Sequence, residues 1–330
     1  MSHGQELLRI LSDGRFHSGA ALGKSLGVRP ALVGEYVQDL RAAGLQIDVM
    51  PGHGYQLTET LELLSTEAIA QALAPATRAS LGPLTLHYEI DSTNSELLRS
   101  AAALPCGAVC LAEAQRAGRG RQGRRWVSPC ARNIYLSLLW RFTRSPDALT
   151  GLALSVGLAV LSALEDVGVR GAAVKWPNDV IWRGAKLAGT LIEASNGAVV
   201  IGVGINVAMP RAQEAIGQSW VDAASAAGKP VSRNHLAAAL LDRLVETLAR
   251  FDVEGLAAFM AQWRKHDALH GCSIAVLDVR GTEMTGVARG IDVDGALLVE
   301  HQNGELRRYL SGDVSVRSRA QRTLEEAAST

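Results

Sequence analysis

Hydrophobic and polar positions follow two periods along this chain, and the changes between them divide it into three parts. Apolar Leu7, Leu8, Ile10 and Leu11 predict a first short amphipathic helix. A second helix is predicted over 20–26 behind Ser18-Gly19, and a third runs from Pro30, a residue suited to the first helical position, to residue 42. Residues 47–57 then read as strand, glycine turn, strand, completing the plan of a winged helix-turn-helix. In the middle part a strand over 86–90 runs into Asp91-Ser92-Thr93-Asn94-Ser95-Glu96, where Thr93 and Glu96 have capping-box spacing ahead of Leu97-Leu98. Strand-like runs follow at 108–112 and 133–140, and the apolar run 151–164 reads as a buried helix lying on a sheet. Three alternating strands at 180–182, 187–194 and 199–207, turned at Arg183-Gly184 and Ser195-Asn196-Gly197, form a meander, and a helix over 234–250 completes an α/β layer. From Cys272 to Arg317 the chain alternates without helical signals, with turns at Arg280-Gly281, Asp292–Gly295 and Gln302-Asn303-Gly304 spaced as in a small β-barrel. The predicted fold class is α/β multidomain, with boundaries at 1–62, 63–268 and 269–330.

A length of 330 residues supports about two to three domains, and 48% hydrophobic residues with few aromatics fits a globular chain. The first residues lack the basic and apolar sections of a signal peptide, and the longest apolar run is too short for a bilayer, so a cytoplasmic protein is expected. Four cysteines without a C-x-x-C pair and eight scattered histidines point to neither a zinc site nor a nucleophilic triad.

Charge changes the picture at one place. The chain balances 33 Lys+Arg against 33 Asp+Glu, yet residues 116–125 hold five arginines and three glycines with no acid. Such a cationic loop points to a local anionic ligand such as a phosphate, and its glycines let backbone amides approach it, which a merely solvated patch does not need. Gly118, Gly120 and Gly123 also satisfy G-x-G-x-x-G, but the fingerprint requires a helix next, and Pro129 followed by an alternating aromatic stretch denies it. Gly19 to Ser25 is one residue short of a phosphate loop and lies in a helical context. The first sixty residues carry five positive and six negative side chains, a poor footprint for nucleic acid. On the third helix, Arg29 and Gln38 are the groups able to reach DNA, beside a repelling Glu35.

Taken together, Asp91-Ser92-Thr93-Asn94, Gly118 to Trp126, Lys175-Trp176-Pro177-Asn178-Asp179, Lys186-Leu187-Ala188-Gly189 and Gly202 to Asn206 closely resemble the biotin protein ligases, in order and over essentially the whole chain. The preceding winged helix resembles the bifunctional class that joins ligase and biotin-operon repressor. The resemblance implies a central mixed α/β ligase domain related to class II synthetase and lipoate ligase folds. It implies activation of biotin by ATP-Mg²⁺ to biotinyl-adenylate and transfer to a lysine of a biotin carboxyl carrier protein. It places Ser92, Thr93, Asn94, Gln115, Arg119, Gly120, Arg121 and Lys186 around biotin, and Arg119, Arg121, Trp126, Asn178, Asn206 and Trp220 around the nucleotide. Catalytic roles fall on Lys186 and Arg121, the magnesium ligand on Asp179, and structural packing on Trp176. Operator DNA and a ligand-dependent homodimer are the further partners implied, with no membrane. A lipoate or octanoate ligase is the nearest rival, and the arginine-glycine loop and the Lys175–Asp179 block favour biotin. A ligase whose winged helix has lost DNA binding is the other alternative.

Overall fold

Leu7, Leu8 and Leu11 face one way on the first helix, α1 (His3–Leu11), and are fully buried, because their spacing is that of one helical face. This is a computed structural model, which describes residues 3–210, 216–278, 282–310 and 314–318. Helix α2 (Gly19–Leu26) starts where Ser18 accepts a hydrogen bond from the Ala21 amide and stops at left-handed Gly27. Pro30 opens α3 (Pro30–Ala42) as expected. Antiparallel β1 (Ile47–Met50) and β2 (Gly54–Leu57) complete the unit. Its core of Val33, Val37, Leu40, Ile47 and Leu57 continues into Cys130 and Ala131, so the unit is seated on the body of the molecule.

Two short helices, α4 (Thr66–Ala72) and α5 (Pro75–Ser80), come next; neither is predicted, since each is too short to establish a period. The body is built from β3 (Leu84–Ile90), α6 (Thr93–Ser100), β4 (Val109–Gln115), β5 (Ile134–Trp140), α7 (Leu152–Asp166), β6 (Ala172–Lys175), β7 (Asp179–Trp182), β8 (Ala185–Ser195), β9 (Ala198–Ile205), α8 (Ala223–Ala227), α9 (Arg233–Glu254) and α10 (Met260–His266). Its seven strands pair in the order β3-β4-β5-β9-β8-β7-β6, parallel between β3 and β4 and antiparallel elsewhere. The meander turns form as read: Arg183-Gly184 and Asn196-Gly197 all take positive φ, the requirement of a two-residue hairpin. Side chains of alternate parity go to opposite faces. Val109, Leu111, Leu138 and Ile201 meet α7 and α9 in the main core, whereas Cys110, Leu139 and Val200 meet Leu97 of α6 on the other face. Both faces of the central strands are covered, which is why they read as continuous apolar runs.

Strands β10 (Ser273–Asp278), β11 (Glu283–Ile291), β12 (Leu297–His301), β13 (Leu306–Tyr309) and β14 (Val314–Ser318) pair antiparallel in the order β13-β12-β11-β10-β14. Among the described residues this is a sheet with two ends. The turn expected at Arg280-Gly281 lies outside the described residues. Trp176 is buried as expected, and its Nε1 donates to Gly295 O at 3.0 Å, tying the C-terminal sheet to the body. No helix among the described residues is long and apolar enough to cross a membrane.

The segment from Glu59 to Ser65, leading from the hairpin to the body, is stitched down by charged groups. Arg132, almost wholly buried, pairs with Glu59. The Glu62 carboxylate receives the Arg233 amide at 2.6 Å and the Ser232 hydroxyl at 2.7 Å at the start of α9. The Leu64 amide donates to Glu113 Oε1 at 2.6 Å. Glu113 Oε2 faces Arg233 Nη2 at 2.7 Å, a contact of charges without hydrogen-bond alignment, and both side chains are about 5% exposed. Arg233 also donates to the carbonyls of Glu62 and Asn133.

Candidate functional site

The sheet face beneath α6 carries the site, and the start of that helix supplies its first wall. Extended Ser92 is the N-cap, accepting from the Ser95 amide at 3.5 Å. This corrects the capping-box expectation by one residue: Thr93 is already helical, and Glu96 bonds Arg99 at 2.6 Å. Asp91 braces the turn by accepting from the Ser92 amide, and the Arg99 guanidinium holds its carboxyl down at about 2. Thr93, released from capping, donates its amide to Gln115 Oε1 at 2.9 Å, and Gln115 Nε2 reaches Ser128 Oγ.

Asn94 is held from three sides. Its amide nitrogen donates to Leu191 O at 3.2 Å and Glu193 Oε2 at 2.8 Å, while its oxygen accepts from Ser137 Oγ at 2.6 Å. The Ser137 hydroxyl is shared between Asn94 Oδ1 and Thr93 Oγ1, the latter 2.8 Å away, and Thr93 Oγ1 in turn donates to Gln115 Oε1 at 3.2 Å. A Cβ on Gly202 would stand 2.2 Å from Asn94 Oδ1, so the glycine makes room for this network.

The arginine stretch folds as a narrow ribbon over this face. Gly118 O receives the Trp126 amide, Gly120 N donates to Arg124 O, and Arg119 and Arg125 bridge between them. Arg119 reaches back to Ser95 Oγ at 2.9 Å and to Glu193 at 3.3 Å. Two residues on, half-buried Arg121 approaches Asn178 Oδ1 at 3.5 Å. Burial pushes the pKa of its guanidinium down, with nearby Asp179 opposing, although an arginine still keeps its charge. The ribbon's closing residue, Trp126, lies across Gly189 and Gly204, which are register partners on β8 and β9; a Cβ on Gly204 would meet the indole at 2.5 Å.

Lys186 joins this face through an irregularity. On β8, Lys186 and Ala188 pair with successive residues Ile181 and Val180, so Leu187 is an extra residue. A bulge of this kind turns the next side chains over. Lys186 Cε thus lies 3.1 Å from where a Gly189 Cβ would be, and its ammonium sits 5.4 Å from the centroid of Trp126 and 2.9 Å from Asp179 Oδ1. That carboxylate oxygen is buried, and the ammonium is not aligned as a hydrogen-bond donor to it.

Most of the expected residues therefore converge. Ser92, Thr93, Asn94, Gln115 and Arg119 stand at one end of the face, and Arg121, Trp126, Asn178, Asp179 and Lys186 at the other. Gly120 lies within the ribbon and donates its amide to Arg124 O at 2.7 Å. Trp220 is brought beside Lys186 by a backbone bridge. Asn206, buried, donates its side-chain amide to the carbonyls of Lys186 and Val221, so here it fixes the lysine's backbone. Arg29 and Gln38 are exposed on the helical unit and take no part in this site. The sequence reading misses Ser137, Ser128 and Glu193. The alternation of β8 and β5 could have found two of them, by putting Glu193 on the face of Gly189 and Ser137 opposite Gly202, whereas Ser128 lies outside the strands and has no such signal.

Comparison with known proteins returns consistent likenesses. A model described as the biotin/lipoate A/B protein ligase family matches residues 86–209, and one described as the biotin protein ligase C terminal domain matches residues 270–317. The bifunctional ligase/repressor BirA of Salmonella typhimurium is 40% identical over 318 residues, covering 94% of this chain and 97% of its own length. A biotin-[acetyl-CoA-carboxylase] ligase of Mycobacterium tuberculosis is 37% identical over 63% of this chain and 80% of its own. The solved biotin protein ligase from Aquifex aeolicus in complex with biotin and ATP superposes with a TM-score of 0.64 at 29% identity, covering 71% of this chain and 98% of that one.

Proposed function

This chain belongs to the biotin protein ligase family, and from that premise we propose how its own residues divide the work. It is an ATP-dependent biotin ligase. The biotin carboxylate attacks the α-phosphorus of ATP, pyrophosphate leaves, and biotinyl-5′-AMP forms. The neutral amine of a carrier-protein lysine then attacks the acyl carbon, the C–O bond to phosphate breaks, AMP leaves, and the nitrogen sheds a proton to solvent. A carboxylate alone is a poor electrophile, so the barrier lies in charge accumulating on the phosphates, and the groups that stabilise it must be cationic and in place beforehand.

The observation that carries this reading is the convergence of Lys186, Arg121, Asn178 and Asp179 at one end of a polar sheet face crossed by the arginine ribbon. Lys186 and Arg121 are read as the donors to the acyl phosphate. Ser92, Thr93, Asn94 and Gln115 offer the alternating donors and acceptors that a ureido ring requires, with Arg119 and Gly120 folding over them. Trp126, Asn178, Asn206 and Trp220 border the nucleotide. The residues fit a magnesium ion carried in with ATP, since Asp179 Oδ1 is a buried hard oxygen without an aligned donor. Such an ion, when bound, neutralises charge on the phosphates. The ribbon keeps water from the reactive anhydride until the acceptor lysine arrives.

The test is biotin-dependent exchange of pyrophosphate into ATP by the full chain, run beside lipoate and octanoate. Exchange with biotin that disappears in Lys186→Ala supports the assignment. Exchange with lipoate in place of biotin would move the chain to the rival chemistry, and full exchange by Lys186→Ala would remove the lysine's role.

The relatives matched over their full length are named bifunctional ligase/repressors, and the second role follows that match: a biotin-responsive repressor. We read residues 1–62 as its winged helix-turn-helix with Arg29 and Gln38 toward operator DNA, 63–268 as the ligase domain, and 269–330 as a small barrel, the chain pairing with a second copy when the adenylate is bound. A bracing role for the helical unit is favoured by exposed Glu35 and Asp39 beside Gln38. Anisotropy on labelled DNA from upstream of the organism's biotin-synthesis genes, with and without biotin and ATP-Mg²⁺ across a salt series, separates the two. Tighter, sequence-selective binding with ligand supports the repressor, and weak ligand-independent binding supports the brace.

A further inference from the structure

Glu193 has no place in the reaction as divided above, yet it touches both the pocket wall and the ribbon. The alternation of β8 puts Gly189, Leu191 and Glu193 on one face. The first is bare floor under Trp126, the second offers its carbonyl to Asn94, and the third stands at the rim. Its carboxylate receives Asn94 Nδ2 at 2.8 Å, and both its oxygens lie 3.3–3.5 Å from Arg119 Nη2. Arg119 Nη1 is at the same time donating to Ser95 Oγ.

We propose that Glu193 is a positioning residue that latches the Arg119 end of the ribbon shut while fixing the rotamer of Asn94. This rests on the ligase reading of the same site and adds to it a residue that sets how well the activated acyl group is retained. The chemistry asks for a carboxylate. An amide at this position could still accept from Asn94, but its NH₂ would then face the guanidinium, donor against donor. Magnitude fits the task as well. The pair is 30–40% exposed, and pairs of that kind bias an equilibrium by a few-fold, enough to keep the ribbon down and little enough to let it open every turnover for the acceptor lysine.

The test uses the full chain as wild type, Glu193→Gln, Glu193→Ala, Arg119→Ala and the Arg119→Ala/Glu193→Gln double variant. Two readouts are taken: the ratio of free biotinyl-adenylate and AMP released to biotin transferred in a single turnover, and the rate of subtilisin cleavage within residues 116–125. The latch predicts that Glu193→Gln and Arg119→Ala each raise both about three- to fivefold. The double variant should be no worse than either single one, and high salt should bring wild type toward the variants. Glu193→Ala should in addition raise the KM for biotin through Asn94, a defect that the Gln variant rescues. Wild-type retention and cleavage in Glu193→Gln, or additive effects in the double variant, would overturn the latch. If wild type shows no biotin-dependent turnover, the ligase reading fails by itself, and the cleavage rates still decide whether Glu193 holds the ribbon.

Discussion

Arginine is used in two opposite ways in this molecule. In the ribbon, Arg119 and Arg121 are partly exposed, glycines adjoin them, and apart from the Arg119 bond to Ser95 Oγ at 2.9 Å their contacts with protein are long. At the seam below the helical unit, Arg233 and Arg132 are almost fully buried; Arg132 is hydrogen-bonded to the Glu59 carboxylate, and Arg233 is ion-paired with Glu113 and hydrogen-bonded to two carbonyls. A buried guanidinium costs several kcal/mol in lost solvation, so it must be satisfied by fixed partners and serves to hold parts together. A cation kept near water with unfinished bonding is cheap to hold and free to meet an incoming anion. The degree of satisfaction, more than the residue type, separates structural from chemical arginines here.

The comparison breaks most visibly at the seam. Arg233→Ala leaves Glu113 charged and buried, and urea unfolding is expected to show a loss of about 3–5 kcal/mol. A double Arg233→Met/Glu113→Leu change should recover only the part due to the unpaired charge, because the Leu64 amide and the carbonyls of Glu62 and Asn133 would still lose their partners. At the site the same removal of a cation should spare the fold and cost chemistry. Lys186→Ala is expected to lower biotin-dependent pyrophosphate exchange about a hundred- to a thousandfold, with an unfolding midpoint far closer to wild type than that of the Arg233 variant. Gly204→Ala sharpens the boundary between the two, since its methyl would press on Trp126; a loss of about 1–3 kcal/mol is expected, with a blue or red shift of indole fluorescence and a raised KM for ATP. Smallest is the pH term at Glu59. The hydrogen bond from Arg132 holds the Glu59 carboxyl below its ordinary value. Its contribution is therefore full above the unfolded pKa near 4.3 and fades as pH falls through the lowered folded value. Because Glu59 is nearly half exposed, Glu59→Gln should cost no more than about 1 kcal/mol at pH 7, and the difference from wild type should shrink below pH 4.

Much of this was legible where local chemistry speaks for itself. Ser18, Gly27 and Pro30 bound two helices by capping and by fixed φ, and the Arg183-Gly184 and Asn196-Gly197 pairs announce hairpins. The cap of α6 was misplaced by one residue because Ser92 and Thr93 can both cap, and only the extended backbone at Ser92 decides between them. Lys186 was readable as a residue type in a motif, but its face depends on a bulge that is a property of pairing with β7, which no local pattern encodes. Ser137 and Glu193 were silent for the same reason: their partners are 43 and 99 residues away in sequence. The seam's buried charges carry no local signal, since nothing along the chain marks which arginine will be enclosed.

The floor of the pocket, Gly189, Gly202 and Gly204, is bare backbone. A surface made of peptide groups has no side chain to exchange, so any substitution there only adds atoms that push against Asn94, Lys186 or Trp126. The range of acids this scaffold could come to accept through gradual change is therefore written in its roof and walls, the ribbon and the start of α6, and the floor acts as a fixed gauge against which every such change is measured.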